Sequence, residues 1–173
     1  MGDVRLRPVT LDDVVYLVEK QTPEGTGPFN WFGFRSETEY VRRLEEDGFL
    51  GEFHGKLIVE LDEAGGPVPI GDVSWHAVDY GPPPASRCWN IGITLSPEWR
   101  GRGLGTQAQR MLADYLLDTT VVERIEASTD VENRAERRSL EKAGFTFEGV
   151  LRRAQFRSGV WRDMAVYSLV RGE

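Results

Sequence analysis

The chain has 173 residues, enough to bury a sizeable core in one domain over residues 1–173, and its one cysteine, Cys88, rules out a disulfide framework. Its two histidines, His54 and His76, belong to no Cys/His cluster, so no metal is expected. A net charge of −7 argues against general nucleic-acid binding, and no stretch approaches the roughly 20 apolar residues of a membrane span. The opening MGDVRLRPVT has no apolar leader, so a reduced, soluble, cytoplasmic protein is expected. The charge is uneven. Residues 1–80 carry 16 Asp/Glu against 7 Lys/Arg, and residues 81–173 carry 12 against 14. That asymmetry points to an anion held by the second half and a cation attracted by the first.

In chain order, Val4–Val9 alternates as a strand. Thr10 is placed to cap a helix burying Leu11, Val14, Val15 and Val18. Thr22–Arg35 mixes glycine and proline with Phe29, Trp31, Phe32 and Phe34, a loop suited to a substrate wall or to covering the core. Ser36-Glu37-Thr38-Glu39 is a capping box for a second helix through Leu44. Phe49–Phe53 and Lys56–Leu61 read as strands around a His54-Gly55 turn, followed by a loop over Asp62–Pro69. Pro69–Val78 and Arg87–Leu95 are strands joined by the stiff Tyr80–Ala85. A helix then buries Leu104, Ala108, Met111, Leu112 and Tyr115. Glu123–Ala127 is a strand, and a helix opens at Asn133 and stops at Ala143-Gly144. Phe145–Leu151, Arg153–Arg157 and Val160–Val170 are closing strands with a Ser158-Gly159 turn. The expected fold is α/β of the α+β kind, a mixed sheet with helices between strands.

The densest motif is Ser96–Leu112, SPEWRGRGLGTQAQRML. Gly101, Gly103 and Gly105 bare the backbone where a strand gives way to a helix. Unpaired N–H groups and the positive helix end there form a cradle for phosphate or pyrophosphate. Arg100 and Arg102 add charge. A P-loop is excluded, because Gly105-Thr106 lacks the lysine. A dinucleotide fingerprint stays open on the residues alone, since Glu126 lies where a ribose-binding acid would. Against it, the glycines run G-x-G-x-G, and Ser96–Trp99 separates them from the strand. The third reading is R-x-x-G-x-G, on Arg100, Gly103 and Gly105.

With the Ile91/Ile93/Leu95 strand and Pro97-Glu98-Trp99 before it, this run resembles the acetyl-CoA motif of the GNAT N-acetyltransferases. Asn133–Phe145, NRAERRSLEKAGF, is similar to that family's second signature. VRLRPVTLDD, FTFEGVLR and WRDMAVYSL resemble the branch that includes the ribosomal-protein N-terminal acetyltransferases RimJ and RimL. The resemblance covers nearly the whole chain, most loosely over Thr22–Leu50. It implies the GNAT fold, a mostly antiparallel central sheet flanked by helices, and acetyl-CoA as co-substrate.

By the same resemblance, Ile93, Thr94 and Leu95 pair with the pantetheine arm, and the amides of Arg100, Gly101, Arg102, Gly103, Leu104, Gly105 and Thr106 hold the pyrophosphate. Asn133 contacts the pantetheine, although Asn133–Glu136 also reads as a capping box. Arg138 and Lys142 are candidates for the 3′-phosphate. Cys88 needs no role, because attack on the thioester is direct, in a ternary complex. The tyrosine that many members use as proton donor is Leu140 here. Ser139 is the neighbouring donor, and a serine frequent in the branch is replaced by Glu136.

A base must take the proton of the attacking amine. His76 is the first candidate, since histidine titrates in the useful range, then Asp72 and Glu98. Trp31, Phe32 and Trp75 are candidate acceptor-side residues. Asp163 is read as fixing a strand or turn. The implied activity is acetylation of a primary amine, either a protein N-terminus or a small cationic amine suited to the acidic first half. Edge strands leave a homodimer open. The rival reading is a silent acetyl-CoA or CoA sensor. It gains support if Trp31 and Phe32 fill the acceptor side.

Overall fold

A computed structural model describes residues 2–173. The elements are β1 (Val4–Pro8), α1 (Asp13–Glu19), α2 (Pro23–Thr26), α3 (Glu37–Asp47), β2 (Leu50–Gly51), β3 (His54–Glu63), β4 (Gly66–Asp79), β5 (Arg87–Leu95), α4 (Leu104–Thr119), β6 (Arg124–Asp130), α5 (Arg134–Lys142), β7 (Thr146–Arg157) and β8 (Val160–Val170), with a 3₁₀ turn at Pro97–Trp99. They form one eight-stranded sheet in the order β1-β3-β4-β5-β6-β8-β7, with the short β2 paired to β3. Every neighbouring pair is antiparallel except β5 and β6. This is the mixed, mostly antiparallel sheet that the sequence implies.

Each face of the sheet has its own core. On one, Leu57, Val59, Val73, Trp75, Ile91 and Ile125 pack with Leu104, Ala108, Leu112 and Leu116 of α4 and Leu140 of α5. On the other, Val14, Leu17, Tyr40 and Phe49 close over Ile58. Burial of one such leucine or isoleucine contributes about 1.5–3 kcal/mol.

Several boundaries differ from the sequence reading. In α1 the buried residues are Asp13, Val14 and Leu17, whereas Leu11 and Val15 are exposed. Thr10 does not accept a cap bond there. Its N–H and hydroxyl donate to Asp13 Oδ2, and Arg7 clamps the same carboxylate, so an ion pair fixes this helix start. Ser36 does cap α3, its Oγ accepting from Glu39 N–H at 3.1 Å. The His54-Gly55 turn is strand, and the Asp62–Pro69 loop shrinks to a two-residue turn at Ala64-Gly65, because β3 pairs with β4 from His54↔His76 to Glu63↔Gly66. In α4 the buried row runs through Leu116, leaving Tyr115 on the exposed side. The two strands expected between Phe145 and Arg157 are one, β7, with an irregularity between Leu151 and Gln155. Asp163 Oδ1 accepts from Arg153 N–H at 2.8 Å at that irregularity, the strand-fixing role expected of it.

Candidate active site

β5 has a full partner on one side only. It pairs with β4 from Gly71↔Leu95 to Asp79↔Arg87, but with β6 only over Trp89, Ile91 and Asn90 between them. From Gly92 onward the two parallel strands diverge. Ser96 N–H donates to Ile70 O at 2.9 Å, which sets the antiparallel alternation along β5. That alternation turns the N–H and C=O of Ile93 and Leu95 to the open side. Asn30 Nδ2 donates to Ile93 O at 3.3 Å, and Arg100 Nε donates to Leu95 O at 2.8 Å.

The opening becomes a cleft of about 370 Å³, lined on one wall by Thr26–Asn30 and on the other by residues of α5. Its floor includes Ile93, Thr94, Leu95, Gly101, Gly103, Gly105 and Thr106. Gly101 (φ +75°) and Gly103 (φ +80°) take backbone conformations that other residues rarely adopt, and so turn the chain into α4. Asn133, Arg138, Ser139 and Lys142 also line this cleft, so most of the expected donor-site residues converge.

Two of them stand outside it. Leu104 is 1% exposed in the core, and the Arg102 guanidinium lies over the Trp99 ring at 4.9 Å. Arg100 borders the cleft, yet its guanidinium braces two backbone carbonyls, Leu95 O and Gly25 O. The Asn133 amide is engaged in both directions, its Oδ1 accepting from Glu136 N–H at 3.3 Å and its Nδ2 donating to Thr129 Oγ1 at 3.0 Å. The helix-start reading of Asn133 is therefore realised in the structure.

The proton inventory of this wall is specific. Ser139 Oγ donates to Gln109 Oε1 at 2.9 Å, and Gln109 Nε2 donates to Glu136. A serine has one O–H proton, so the 3.0 Å contact with Thr106 Oγ1 must have threonine as donor. Ser139, the expected proton donor, has its proton taken. Burial meanwhile raises the Glu136 carboxyl to about 7.

A second cleft, of about 420 Å³, opens on the α3 side of β4 and β5. It shares Asn30, Ile93 and Thr94 with the first, so the two meet across the end of β5. His76 lines it and is exposed, and desolvation by its surroundings lowers its pKa. Phe32 is a wall residue, whereas Trp31 packs edge-on against Phe34 with ring centroids 4.9 Å apart, outside the lining. The pair does not fill the cleft, which removes the observation that would have favoured a sensor. Trp75 borders it but is 7% exposed and packs against Tyr115 of α4.

Asp72 is a poor base. Burial alone would raise its pKa, but Lys20 and Lys56 flank the carboxylate and hold it below the ordinary value. Glu98 is exposed on the 3₁₀ turn and lines neither cleft. Cys88 is 2% exposed, and burial pushes its thiol up to about 12, which suits a structural residue. Nor does the acidic excess of the first half gather at this cleft. Asp13 and Glu60 pair with Arg7, and Asp62 pairs with Arg5, all elsewhere. Glu39 is the one carboxylate among the lining residues.

The acetyltransferase (GNAT) domain model matches residues 3–146, and the chain belongs to that family. It is 35% identical over 133 residues to the probable N-acetyltransferase YjcK of Bacillus subtilis, covering 77% of this chain and 68% of that protein. It is 24% identical to the ribosomal-protein-serine acetyltransferase of Escherichia coli, over 82% of this chain and 76% of that one. The fold matches Mycobacterium smegmatis RimJ in complex with CoA-disulfide at a TM-score of 0.81 and 24% identity, covering 98% of this chain and 83% of the other. Spermidine N-acetyltransferase from Vibrio cholerae, in complex with CoA and spermine, matches at 0.81 and 20% identity, covering 97% and 95%. The protein is an acetyltransferase resembling RimJ and RimL, and acetyl-CoA fits it as co-substrate.

Sequence reasoning missed Asn30 and Gly27 in the donor cleft and Arg35, Arg43 and Lys56 in the other. The loose Gly- and aromatic-rich segment gave a clue to the first two, and its Phe29, left open between substrate wall and core cover, does line the donor cleft. Nothing local marked the others.

Proposed function

We propose that the protein transfers an acetyl group from acetyl-CoA directly to a primary amine, with the α-amine of a peptide or small molecule as acceptor. The open backbone of Ile93 and Leu95, beside the glycine-built start of α4, carries this reading. Those peptide groups pair with the pantetheine arm as an added strand. The amides of residues 100–106 and the side chains of Arg138 and Lys142 hold the phosphates. The bound co-substrate supplies an activated acyl carbon.

The acceptor enters from the second cleft, where His76, exposed and with a lowered pKa, is neutral near pH 7 and takes the ammonium proton. The amine nitrogen bonds to the acyl carbon as the carbon–sulfur bond breaks. A free N–H of Ile93 or Leu95 stabilises the oxygen as it gains charge. The sulfur leaves as thiolate and takes up a proton. The reading includes a cytoplasmic location, in keeping with a free buried cysteine. It also allows pairing of two copies at the edge strand β7.

Release of free CoA thiol should depend on an added amine, and the product should be the acetylated amine by mass. CoA binding without release from any amine would defeat the reading.

A further inference from the structure

The charge of the acceptor cleft says what kind of amine it takes. Arg35 and Glu39 pair at 3.2 Å and cancel. Arg43 lines the cleft, stands over the Phe49 ring at 4.9 Å and pairs with no carboxylate among the described residues. Beneath the floor, Lys20 and Lys56 share the single carboxylate of Asp72, and Lys20 Nζ also donates to Thr94 O at 3.2 Å. The side chains of Lys20 and Asp72 are 5% and 4% exposed, while Lys56 reaches the cleft surface at 16%. Burial lowers the Lys20 pKa even with Asp72 beside it, so this lysine is a weak source of charge, and the Lys56 ammonium is the one that faces the cleft. Arg43 is therefore the unmatched charge at this cavity, with the Lys56 ammonium at its floor.

We infer that this cleft binds an α-amine that itself carries a carboxylate, the carboxylate lying against Arg43 and Lys56. The inference rests on the transferase reading above and names its acceptor class. An acceptor of this kind fits the chemistry in two ways. Its carboxylate supplies the missing counter-charge. The same cations lower the pKa of the incoming ammonium, which for a peptide N-terminus starts from about 7.7–8.0, well below that of a lysine or polyamine amine. Free amine is then available without a strong base. A polyamine in this cleft would meet repulsion and offer no counter-charge.

The shared chemistry has two sources, a free amino acid and a peptide whose first or second residue is acidic. The test measures kcat/KM for thiol release with glutamate and aspartate, with short peptides starting Ser-Asp, Ser-Ala and Ser-Lys, and with spermidine. It uses the wild type, Arg43→Glu and Lys56→Gln, with CoA binding and circular dichroism checking that each variant is folded. The wild type should prefer a carboxylate-bearing acceptor over its neutral or basic counterpart by about tenfold or more, less so at high salt. Arg43→Glu should abolish or reverse that preference while CoA affinity holds, and Lys56→Gln should reduce it. Activity on free amino acids or on Ser-Asp identifies the source. Spermidine or Ser-Lys as best substrate, or a preference unchanged in folded Arg43→Glu, overturns the inference and leaves the transferase reading standing. CoA binding with no release from any amine overturns both.

Discussion

The two clefts that meet at Ile93 and Thr94 are made of different material. The donor cleft is mostly backbone, with the open edge of β5, the glycine turn into α4 and the carbonyls of Gly25, Ile93 and Leu95 held by side chains behind them. The acceptor cleft is mostly side chain, with charged and aromatic groups from α3, β3 and β4 around a floor that hides an ion cluster. A backbone site can change only if the fold changes, which suits a co-substrate common to a family. A side-chain site can be re-specified one residue at a time, which suits an acceptor that differs from member to member.

The hardest way to break this contrast is at the floor. Asp72→Asn removes the buried carboxylate that Lys20 and Lys56 share and should cost about 3–5 kcal/mol in urea unfolding. Adding Lys20→Met should recover part of the loss. A variant that kept its stability and lost only turnover would return Asp72 to the list of bases.

Next comes His76→Ala, expected to lower kcat/KM about 10²-fold at pH 7. In the wild type the rate should climb with pH through a pKa below the ordinary histidine value of 6.5. The variant should lose that limb and follow the ionisation of the amine. An unchanged profile would move the base to the substrate or to water.

Glu136 tests the donor wall through pH. Burial raises its pKa from 4.5 to about 7, so between those values the folded chain holds a proton that the unfolded chain releases. Stability from this group is complete below the unfolded value and lost as pH rises through about 7. Glu136→Gln should therefore match the wild type near pH 4 and exceed it by about 2 kcal/mol at pH 8. A constant difference across that range would mean that water reaches the carboxyl freely.

The smallest effect separates fold from ligand at one position. A Cβ at Gly105 would sit 3.5 Å from Leu95, 3.7 Å from Ile93 and 3.8 Å from Ser139, all ordinary contacts facing the cleft. Gly105→Ala should keep or raise the unfolding midpoint, by up to about 1 kcal/mol of helix propensity. It should weaken CoA binding about tenfold, measured by calorimetry. Parallel loss of both would contradict a backbone-built site.

The same contrast explains what the sequence could disclose. The glycine run is local, and its spacing, its preceding strand and its following helix lie within one short stretch, so Arg100–Thr106 could be read directly. Arg87–Leu95 was bounded correctly because a buried strand between a stiff loop and a proline has clear ends. Lys20 and Asp72 lie 52 residues apart, and no local pattern foretells that the lysine just past the end of α1 will reach that carboxylate. Asp72 looked like a base only while its neighbours were unknown. Arg43 sits on an amphipathic helix where any arginine reads as a solvated charge. Its meaning comes from the cavity beside it.

One segment touches both banks of the opening between β5 and β6. On the β5 side, Arg100 holds Gly25 and Asn30 holds Ile93. Across the gap, Arg157 of β7, anchored on buried Asp130, donates to Phe29 O at 3.3 Å, with its guanidinium 5.6 Å from the Phe29 ring. Residues 25–30 thus act as a tie-bar that fixes the width of the gap before any ligand arrives. A gap already set at its working width has little ordering entropy left to lose, so more of the contact energy survives as affinity.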